Sequence, residues 1–278
     1  MTKKLKLRLF KDKFYFILLL ILSLIPIFLF ILIIIHIIKK GITVIDWSFL
    51  SQLPKPVGEE GGGILNAIVG TILLIILASI LTIPIGIVTG IFLYEYSNSK
   101  LAYIVRIISE IIQGIPSIVI GILAYIWVVK PMGHFSGLSG GVALALIMLP
   151  IVIKTTEEML KLIPNELKEA SLALGTPYYR TIFKVMIPTA ISGILTGILT
   201  GIARIAGETA PLLFTAFGNP FLNFDIFKPI SSLPHIIYLY SISPFEDWNQ
   251  KAWGASFILL IFVLFLNVLI RILSVKKK

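Results

Sequence analysis

Long hydrophobic runs without formal charge alternate along the chain with short segments that carry most of the polar residues. A helical run of about 20 residues crosses a hydrocarbon layer of about 30 Å. The pattern predicts six membrane-spanning helices, which are Phe14–Ile38, Ile64–Tyr94, Tyr103–Val129, Leu138–Ile153, Thr189–Phe217 and Ala252–Leu273. The expected fold is therefore that of an all-α integral membrane protein.

The predicted helices divide the chain into two parts. Residues 1–63 hold a basic N-terminal segment, the first helix and an outer loop rich in Gly and Pro, whereas residues 64–278 hold a core of five helices. The first hydrophobic run is too long for the core of a signal peptide, and Lys39 and Lys40 follow it instead of a cleavage site of small residues. We expect this run to be retained as a membrane helix.

Composition and charge agree with a membrane location. Of the 278 residues 57% are hydrophobic and only 14% are charged, against about 25% charged residues in an ordinary soluble domain. With the N-terminus placed inside, most of the 24 Lys and Arg fall in inner segments, and this asymmetry predicts that both termini are cytoplasmic. Anchoring to anionic lipid then explains the net charge of +10, so nucleic-acid binding is not expected.

No catalytic or nucleotide-binding motif stands out in the sequence. The triplet Gly61–Gly63 is not followed by the lysine of a phosphate-binding loop, and the chain has no cysteine. His36, His134 and His235 are scattered, so neither a metal site nor a cofactor is expected. We predict that the chain is not an enzyme and that any ATP hydrolysis takes place in a separate subunit.

The longest inner loop, Lys154–Pro188, carries the punctuation of two short helices. Gly175 stands where a left-handed residue is needed between them, and Pro188 is expected to end the second. The apolar residues at helical spacing are Leu167, Ala170 and Leu174 in the first helix and Tyr179, Ile182, Phe183 and Met186 in the second. Periodicity leaves open whether the membrane surface, the inner helix ends of the chain itself or the groove of a partner covers these faces.

Two stripes run side by side along the fifth predicted helix. Gly193, Gly197 and Gly201 form a small-residue stripe that predicts close helix packing. The polar stripe, expected to face the protein interior, consists of Ser192, Thr196, Thr200, Arg204 and Glu208. Arg204 and Glu208 either form an ion pair that locks helices together or contribute to an anion path, and the residues alone leave both open.

The third predicted helix contains Glu110, Gln113 and Ser117 around Gly114 and Pro116. Proline removes a helical hydrogen bond, so a kink is expected, and lipid tolerates the freed backbone groups only where protein or a water-filled cavity satisfies them. The pattern fits a plain kink and a path-lining role equally well.

Residues of the inner loop resemble a known family motif. Glu169-Ala170-Ser171, three residues, Gly175, nine residues and then Val185 to Pro188 are similar to the EAA loop of ABC importer permeases. Ser171 replaces the second alanine of that motif, while both spacings are kept. The resemblance implies a type I ABC importer permease fold, in which Glu169, Ala170, Ser171, Gly175 and Pro188 couple the chain to an ATP-hydrolysing subunit.

Two further stretches, Gly114–Val119 and Ala203–Phe214, resemble PstA-type permeases of phosphate ABC importers. The resemblance implies that the chain is a cell-membrane permease subunit for inorganic phosphate. Its implied partners are a homologous PstC-type permease, two copies of a PstB-type ATPase and an extracytoplasmic PstS-type phosphate-binding protein. The residues of the implied substrate path are Arg204, Glu208, Thr209, Glu110, Gln113 and Ser117.

Three alternatives stay open at the level of the sequence. Arginine recognises charge more readily than the identity of an anion, so a permease for another oxyanion such as molybdate or sulfate is the first. An autonomous channel or secondary transporter is the second, and a membrane scaffold without transport is the third.

Overall fold

A computed structural model describes residues 3–56, 58–59 and 61–275, and most of these residues are helical. The helices are α1 (Lys3–Gly41), α2 (Trp47–Ser51), α3 (Leu65–Glu95), α4 (Lys100–Gly114), α5 (Ser117–Met132), α6 (Gly137–Lys161), α7 (Asn165–Ala173), α8 (Tyr178–Ala206), α9 (Ala210–Leu213), α10 (Leu233–Ser241) and α11 (Glu246–Val275). Within α5 and α8, Tyr125–Val129 and Thr181–Met186 are π-helical. We call the end of the bundle that carries residues 162–177 the loop end and the opposite end the far end.

Six membrane crossings are compatible with this architecture, as the sequence predicts. Five helices, α1, α3, α6, α8 and α11, are long and apolar enough to span a membrane, and α4 with α5 forms a sixth, bent crossing. The kink expected near Pro116 is a complete break, since the axes of α4 and α5 differ by 108°. Proline disfavours helical geometry in the preceding residue, and Ile115 has an extended ψ of 133°.

The core forms where α6 is packed between α3 and α8, with small residues at both contacts. Gly86 and Gly90 of α3 face Val152 and Thr156 of α6. On the other side the three glycines of the α8 stripe face α6 at Met159, Thr155 and Met148. The close packing predicted for this glycine stripe is confirmed.

The packing of α3 on α6 yields a stability prediction. A Cβ atom at Gly90 would lie 2.6 Å from Cβ of Thr156, so Gly90→Ala should force the helices apart and lower the free energy of unfolding by about 1–3 kcal/mol. At Gly114 the same added atom meets nothing within 4 Å. Thermal unfolding in detergent should therefore show a lower melting temperature for Gly90→Ala but not for Gly114→Ala, and equal melting temperatures would contradict this account.

At the far end, short segments tie the helices together. The Thr71 hydroxyl accepts a hydrogen bond of 2.8 Å from the backbone N–H of Leu233, and Asn66 donates one of 2.7 Å to the carbonyl of Asn219. The first helix, α1, lies at the edge of the bundle and packs along α11, where the rings of His36 and Trp253 are 5.0 Å apart. Most residues of α1 between positions 11 and 40 are exposed within this chain.

The fifth span differs from its prediction at both ends. It ends at Ala206 rather than at Phe217, because Gly207 and Pro211 interrupt helical geometry and Phe217 has a left-handed φ of 59°. At the other end α8 continues backwards through Pro188 to Tyr178, so Pro188 does not end a separate helix. The wider π-helical turn before Pro188 accommodates the ring that would clash in a regular helix.

Candidate functional site

The polar stripe of α8 lies on the surface of the chain. Thr200 and Arg204 are exposed, and Ser192 and Thr196 are partly exposed. The prediction that this stripe faces the interior of the chain is wrong, because successive helical residues point about 100° apart and the neighbouring glycine stripe takes the contact with α6. These four side chains, which we call the exposed column, therefore run along a membrane-spanning helix and end in an arginine.

Arg204 is held only loosely. Its Nε atom lies 4.0 Å from Oε1 of Glu208, and the two side chains are 43% and 18% exposed. Glu208 follows the end of α8, yet the chain turns back far enough to keep the pair together. The guanidinium of Arg204 makes no hydrogen bond to any residue that the structure describes, so its paired N–H groups, which suit bidentate binding of an oxyanion, are available.

The other residues implied for the path lie apart from this pair. Glu110 and Gln113 of α4 line a cavity of about 140 Å³ at the loop end, with Arg106 and Lys154. This cavity lies between α4 and α6, and its wall carries charges of both signs.

Ser117 and Thr209 occupy two further places. Ser117 begins α5, which packs against α9. Thr209 directly precedes α9 and lines a crevice with Ile37 of α1 and Pro234 of α10. The structure thus brings Arg204 to Glu208 and Glu110 to Gln113, but it does not gather all six side chains at one point.

An ion-pair cluster in the loop-end cavity was not expected from the sequence. The Glu157 carboxylate is 6% exposed and accepts a hydrogen bond of 2.6 Å from Arg106 of α4 and another of 2.6 Å from Lys161, one turn away on α6. The spacing of Glu157 and Lys161 could have indicated their pairing. Arg106 is 51 residues distant in sequence from Glu157, and its role follows only from the fold.

This cluster predicts that Arg106 is important for stability. Arg106→Gln leaves the buried Glu157 carboxylate with Lys161 alone, and we expect the free energy of unfolding to fall by about 1–3 kcal/mol. The matched control is Lys228→Gln, since Lys228 pairs with Asp225 at 3.7 Å and the two side chains are 69% and 43% exposed. Melting curves should show a loss for Arg106→Gln and almost none for Lys228→Gln; no difference would refute the structural role of Arg106.

The loop between α6 and α8 is anchored to the core through Lys168. The Nζ atom of Lys168 lies 2.9 Å from the carboxylate of Glu95 at the end of α3, and it also lies 5.3 Å and 5.0 Å from the ring centroids of Tyr94 and Tyr178. The hydroxyls of Ser171 and Thr181 are hydrogen-bonded at 3.0 Å. These contacts hold α7 against the start of α8, so the loop is a defined element rather than a tether.

The turn between α7 and α8 is left-handed, as the sequence predicts. Gly175 has a φ of +74°, and a Cβ atom at this position would meet nothing within 4 Å. Glu169, Ala170 and Pro188 are exposed. The motif residues therefore present an open surface at the loop end.

The apolar residues of this loop divide between the surface and the core. Leu174 is 86% exposed and Phe183 is 61% exposed, and Tyr179 and Leu167 are exposed too. Ile182 and Met186 are instead buried in the main core, so the predicted single face of the second helix is wrong. The π-helical segment widens the turn and rotates these two side chains away from Tyr179 and Phe183.

Comparison with known sequences gives a family model and similar proteins that match most of the chain. Residues 82–276 match the family model described as binding-protein-dependent transport system inner membrane component. The phosphate transport system permease protein PstA of Yersinia pestis is 46% identical over 242 residues, which cover 87% of this chain and 82% of that protein. A probable phosphate transport system permease protein PstA of Methanocaldococcus jannaschii is 39% identical over 272 residues, which cover 95% of this chain and 94% of that protein.

Solved structures share the fold at low sequence identity. A structure of the MetNI methionine ABC transporter in an inward-facing conformation matches with a TM-score of 0.65 and 20% identity, covering 77% of this chain and 96% of that one. A crystal structure of an amino acid ABC transporter with histidines matches with a TM-score of 0.53 and 18% identity, covering 76% of this chain and 92% of that one. These similarities show the type I ABC importer permease fold.

Proposed function

The chain belongs to the family of binding-protein-dependent transport system inner membrane components, and we propose that it is a permease subunit of an ATP-driven importer of inorganic phosphate. Its relatives in Yersinia pestis and Pasteurella multocida, 46% and 43% identical, are phosphate transport system permease proteins. The observation that carries the proposal is the exposed column on α8 that ends in Arg204, whose charge and free N–H groups suit phosphate.

The surface position of this column supports a phosphate path that lies between this chain and a second permease subunit. A charged side chain facing lipid is costly, so a second subunit or water must cover Arg204. We propose that a homologous PstC-type permease packs against this face and that phosphate passes between the two chains. Phosphate would meet Arg204 in the far half of the membrane and reach Glu110 and Gln113 at the loop end, while Thr209 and Ser117 line adjoining parts.

The loop end supports coupling to a nucleotide-hydrolysing partner. Leu174, Tyr179 and Phe183 form an exposed apolar surface beside the exposed motif residues Glu169 and Ala170. We propose that this surface docks into a groove of a PstB-type ATPase, one copy for each permease. The loop end and both termini are then cytoplasmic, and a PstS-type protein delivers phosphate at the far end.

The division of the chain fits this assembly. We propose that residues 64–278 form the permease core and that residues 1–63 form an accessory N-terminal part, because α1 lies at the edge of the bundle along α11. The path and the coupling surface both lie in the core.

Reconstitution tests the proposal. Vesicles that contain this chain with the second permease, the ATPase and the binding protein should take up radiolabelled phosphate only with ATP inside. Sulfate and molybdate in tenfold excess should not compete. Uptake without the ATPase would favour an autonomous channel, and competition by molybdate or sulfate would favour the importer of another oxyanion.

A further inference from the structure

The threonine hydroxyls of the exposed column donate their hydrogens to the helix itself. Thr196 donates a hydrogen bond to the backbone carbonyl of Ser192 and Thr200 donates one to that of Thr196, both at 2.8 Å. A threonine hydroxyl has one hydrogen and two lone pairs, so a hydroxyl that donates to its own helix offers only lone pairs to a molecule outside it. The threonines of the column therefore accept hydrogen bonds from a passing anion but do not donate them.

Arg204 lies between two such acceptors. Thr200 is one helical turn before it on the same face and is exposed. On the other side the carboxylate of Glu208 lies 4.0 Å from Nε of Arg204 and is 18% exposed. A carboxylate paired with an arginine accepts hydrogen bonds and has no hydrogen to donate. An oxyanion bound to the N–H groups of Arg204 thus has an acceptor oxygen on either side.

The acceptor surface continues towards the loop end. Thr189 of α8 donates a hydrogen bond of 2.7 Å to the carbonyl of Val185, so its outward face also carries only lone pairs. Thr189 and Thr196 line a crevice of about 410 Å³ beside the end of α6. An anion that moves from Arg204 into this crevice meets the acceptor hydroxyls of Thr200, Thr196 and Thr189 in turn.

Oxyanions differ in their ability to use such acceptors. Near neutral pH inorganic phosphate carries one or two hydroxyl groups, whereas sulfate and molybdate carry none. A hydroxyl of phosphate can donate to Glu208 or Thr200 while the charged oxygens accept from Arg204. Sulfate has only lone pairs to place against the same acceptors, and a site whose polar groups pair with a substrate hydroxyl rejects an analogue that lacks one.

We propose that Glu208 and Thr200 make the path selective for hydroxyl-bearing oxyanions, so that the permease itself discriminates phosphate from sulfate. Arg204 supplies the attraction for negative charge, and the two acceptors recognise the hydroxyl. This inference rests on the proposed function, to which it adds a selective step within the membrane, after any selection by the binding protein.

Competition binding to the importer complex without its binding protein tests the proposal, since selectivity then belongs to the permease path. The complex of this chain, the second permease and the ATPase is placed in nanodiscs, and bound radiolabelled phosphate is measured by equilibrium dialysis at neutral pH. Arsenate, a hydroxyl-bearing oxyanion, should displace phosphate at similar concentrations. Sulfate should require at least about tenfold more, as should monofluorophosphate, a dianion in which fluorine replaces the hydroxyl.

Two substitutions should reduce the preference for phosphate over sulfate. Glu208→Gln offers N–H donors to sulfate in a side chain of equal size, and we expect the ratio of the two affinities to fall roughly five- to tenfold. The ratio is the readout because loss of the negative charge strengthens the binding of every anion. Thr200→Val removes the hydroxyl at nearly the same size and should lower the ratio roughly two- to fivefold.

Two matched variants outside the column control for these changes. Thr43→Val removes an exposed hydroxyl that donates to the carbonyl of Lys40, and Glu246→Gln neutralises an exposed carboxylate at the start of α11. Neither should alter the ratio, and melting temperatures show whether each variant is folded. If Glu208→Gln does not fold, Thr200→Val decides, and an unchanged ratio in that variant refutes the proposal.

Phosphate uptake by the complete importer is measured in parallel. If uptake is selective for phosphate while the native complex binds sulfate or monofluorophosphate as tightly as arsenate, selectivity lies in the binding protein and this inference is wrong, although the proposed function stands. Absence of saturable phosphate binding to the native complex, or an unchanged ratio in folded Glu208→Gln, would also overturn it.

Discussion

Replacing Arg204 by glutamine is expected to reduce phosphate uptake roughly 10- to 100-fold, because a charge-assisted contact to the anion is lost while polarity is kept. Membrane insertion and association with the ATPase should be unchanged, since Arg204 lies at the end of α8 that is opposite the loop end and its side chain is 43% exposed. Radiolabelled phosphate uptake by vesicles, together with ATPase co-purification, measures both effects.

The competing interpretation, in which Arg204 and Glu208 only lock helices together, makes a different prediction. If the pair were a lock, Arg204→Gln would leave Glu208 unpaired, and the double change with Glu208→Gln would restore both stability and uptake. If Arg204 receives the anion, the double variant remains stable but stays inactive. The separation of 4.0 Å between Nε and Oε1 and the 43% exposure of Arg204 favour the second outcome, because exposed and loosely held pairs contribute little stability.

Lys228→Gln is the natural control for this experiment. It removes the same charge from the exposed pair with Asp225, so neither stability nor uptake should change. Full uptake by the Arg204 and Glu208 double variant would rule out Arg204 as an essential anion contact.

Local residue size was sufficient to predict part of the packing. The stripe of Gly193, Gly197 and Gly201 indicated a close helix contact, and α6 occupies that face. Gly175 likewise indicated a left-handed turn, because few other residues adopt positive φ. Both features depend on properties of single residues or of one helix, which the sequence contains directly.

Features that depend on neighbouring helices could not be predicted in the same way. Of the two adjacent stripes of α8, the glycine stripe contacts α6, because the absence of side chains allows the helices to approach closely. The polar stripe therefore lies on the surface of the chain. A polar stripe in a membrane helix indicates cover by protein or water, but it does not tell whether the cover comes from the same chain. The 108° break between α4 and α5 at Pro116 likewise has a size that depends on the fold, so the sequence predicts a kink there but not its angle.

Gly175→Val is expected to weaken the association with the ATPase roughly 5- to 150-fold, which corresponds to about 1–3 kcal/mol of backbone strain at a φ of +74°. The added side chain has open space around it, so the effect arises from conformation and not from a clash. In the isolated chain the loop can relax to another geometry. We expect the cost to reappear on docking, because the proposed groove of the ATPase receives exposed residues from both sides of this turn, Leu174 before it and Tyr179 after it.

The far end offers a matched control for this change. Gly133 has a φ of +77° and equally open surroundings, so Gly133→Val introduces the same kind of strain at the opposite end of the bundle. Co-purification of the ATPase and phosphate uptake should fall for Gly175→Val and remain near normal for Gly133→Val. Gly175→Asn should retain most of both, since asparagine adopts left-handed geometry more readily than valine. Normal association by Gly175→Val, or an equal loss in Gly133→Val, would show that the turn is not the element that transmits motion from the ATPase.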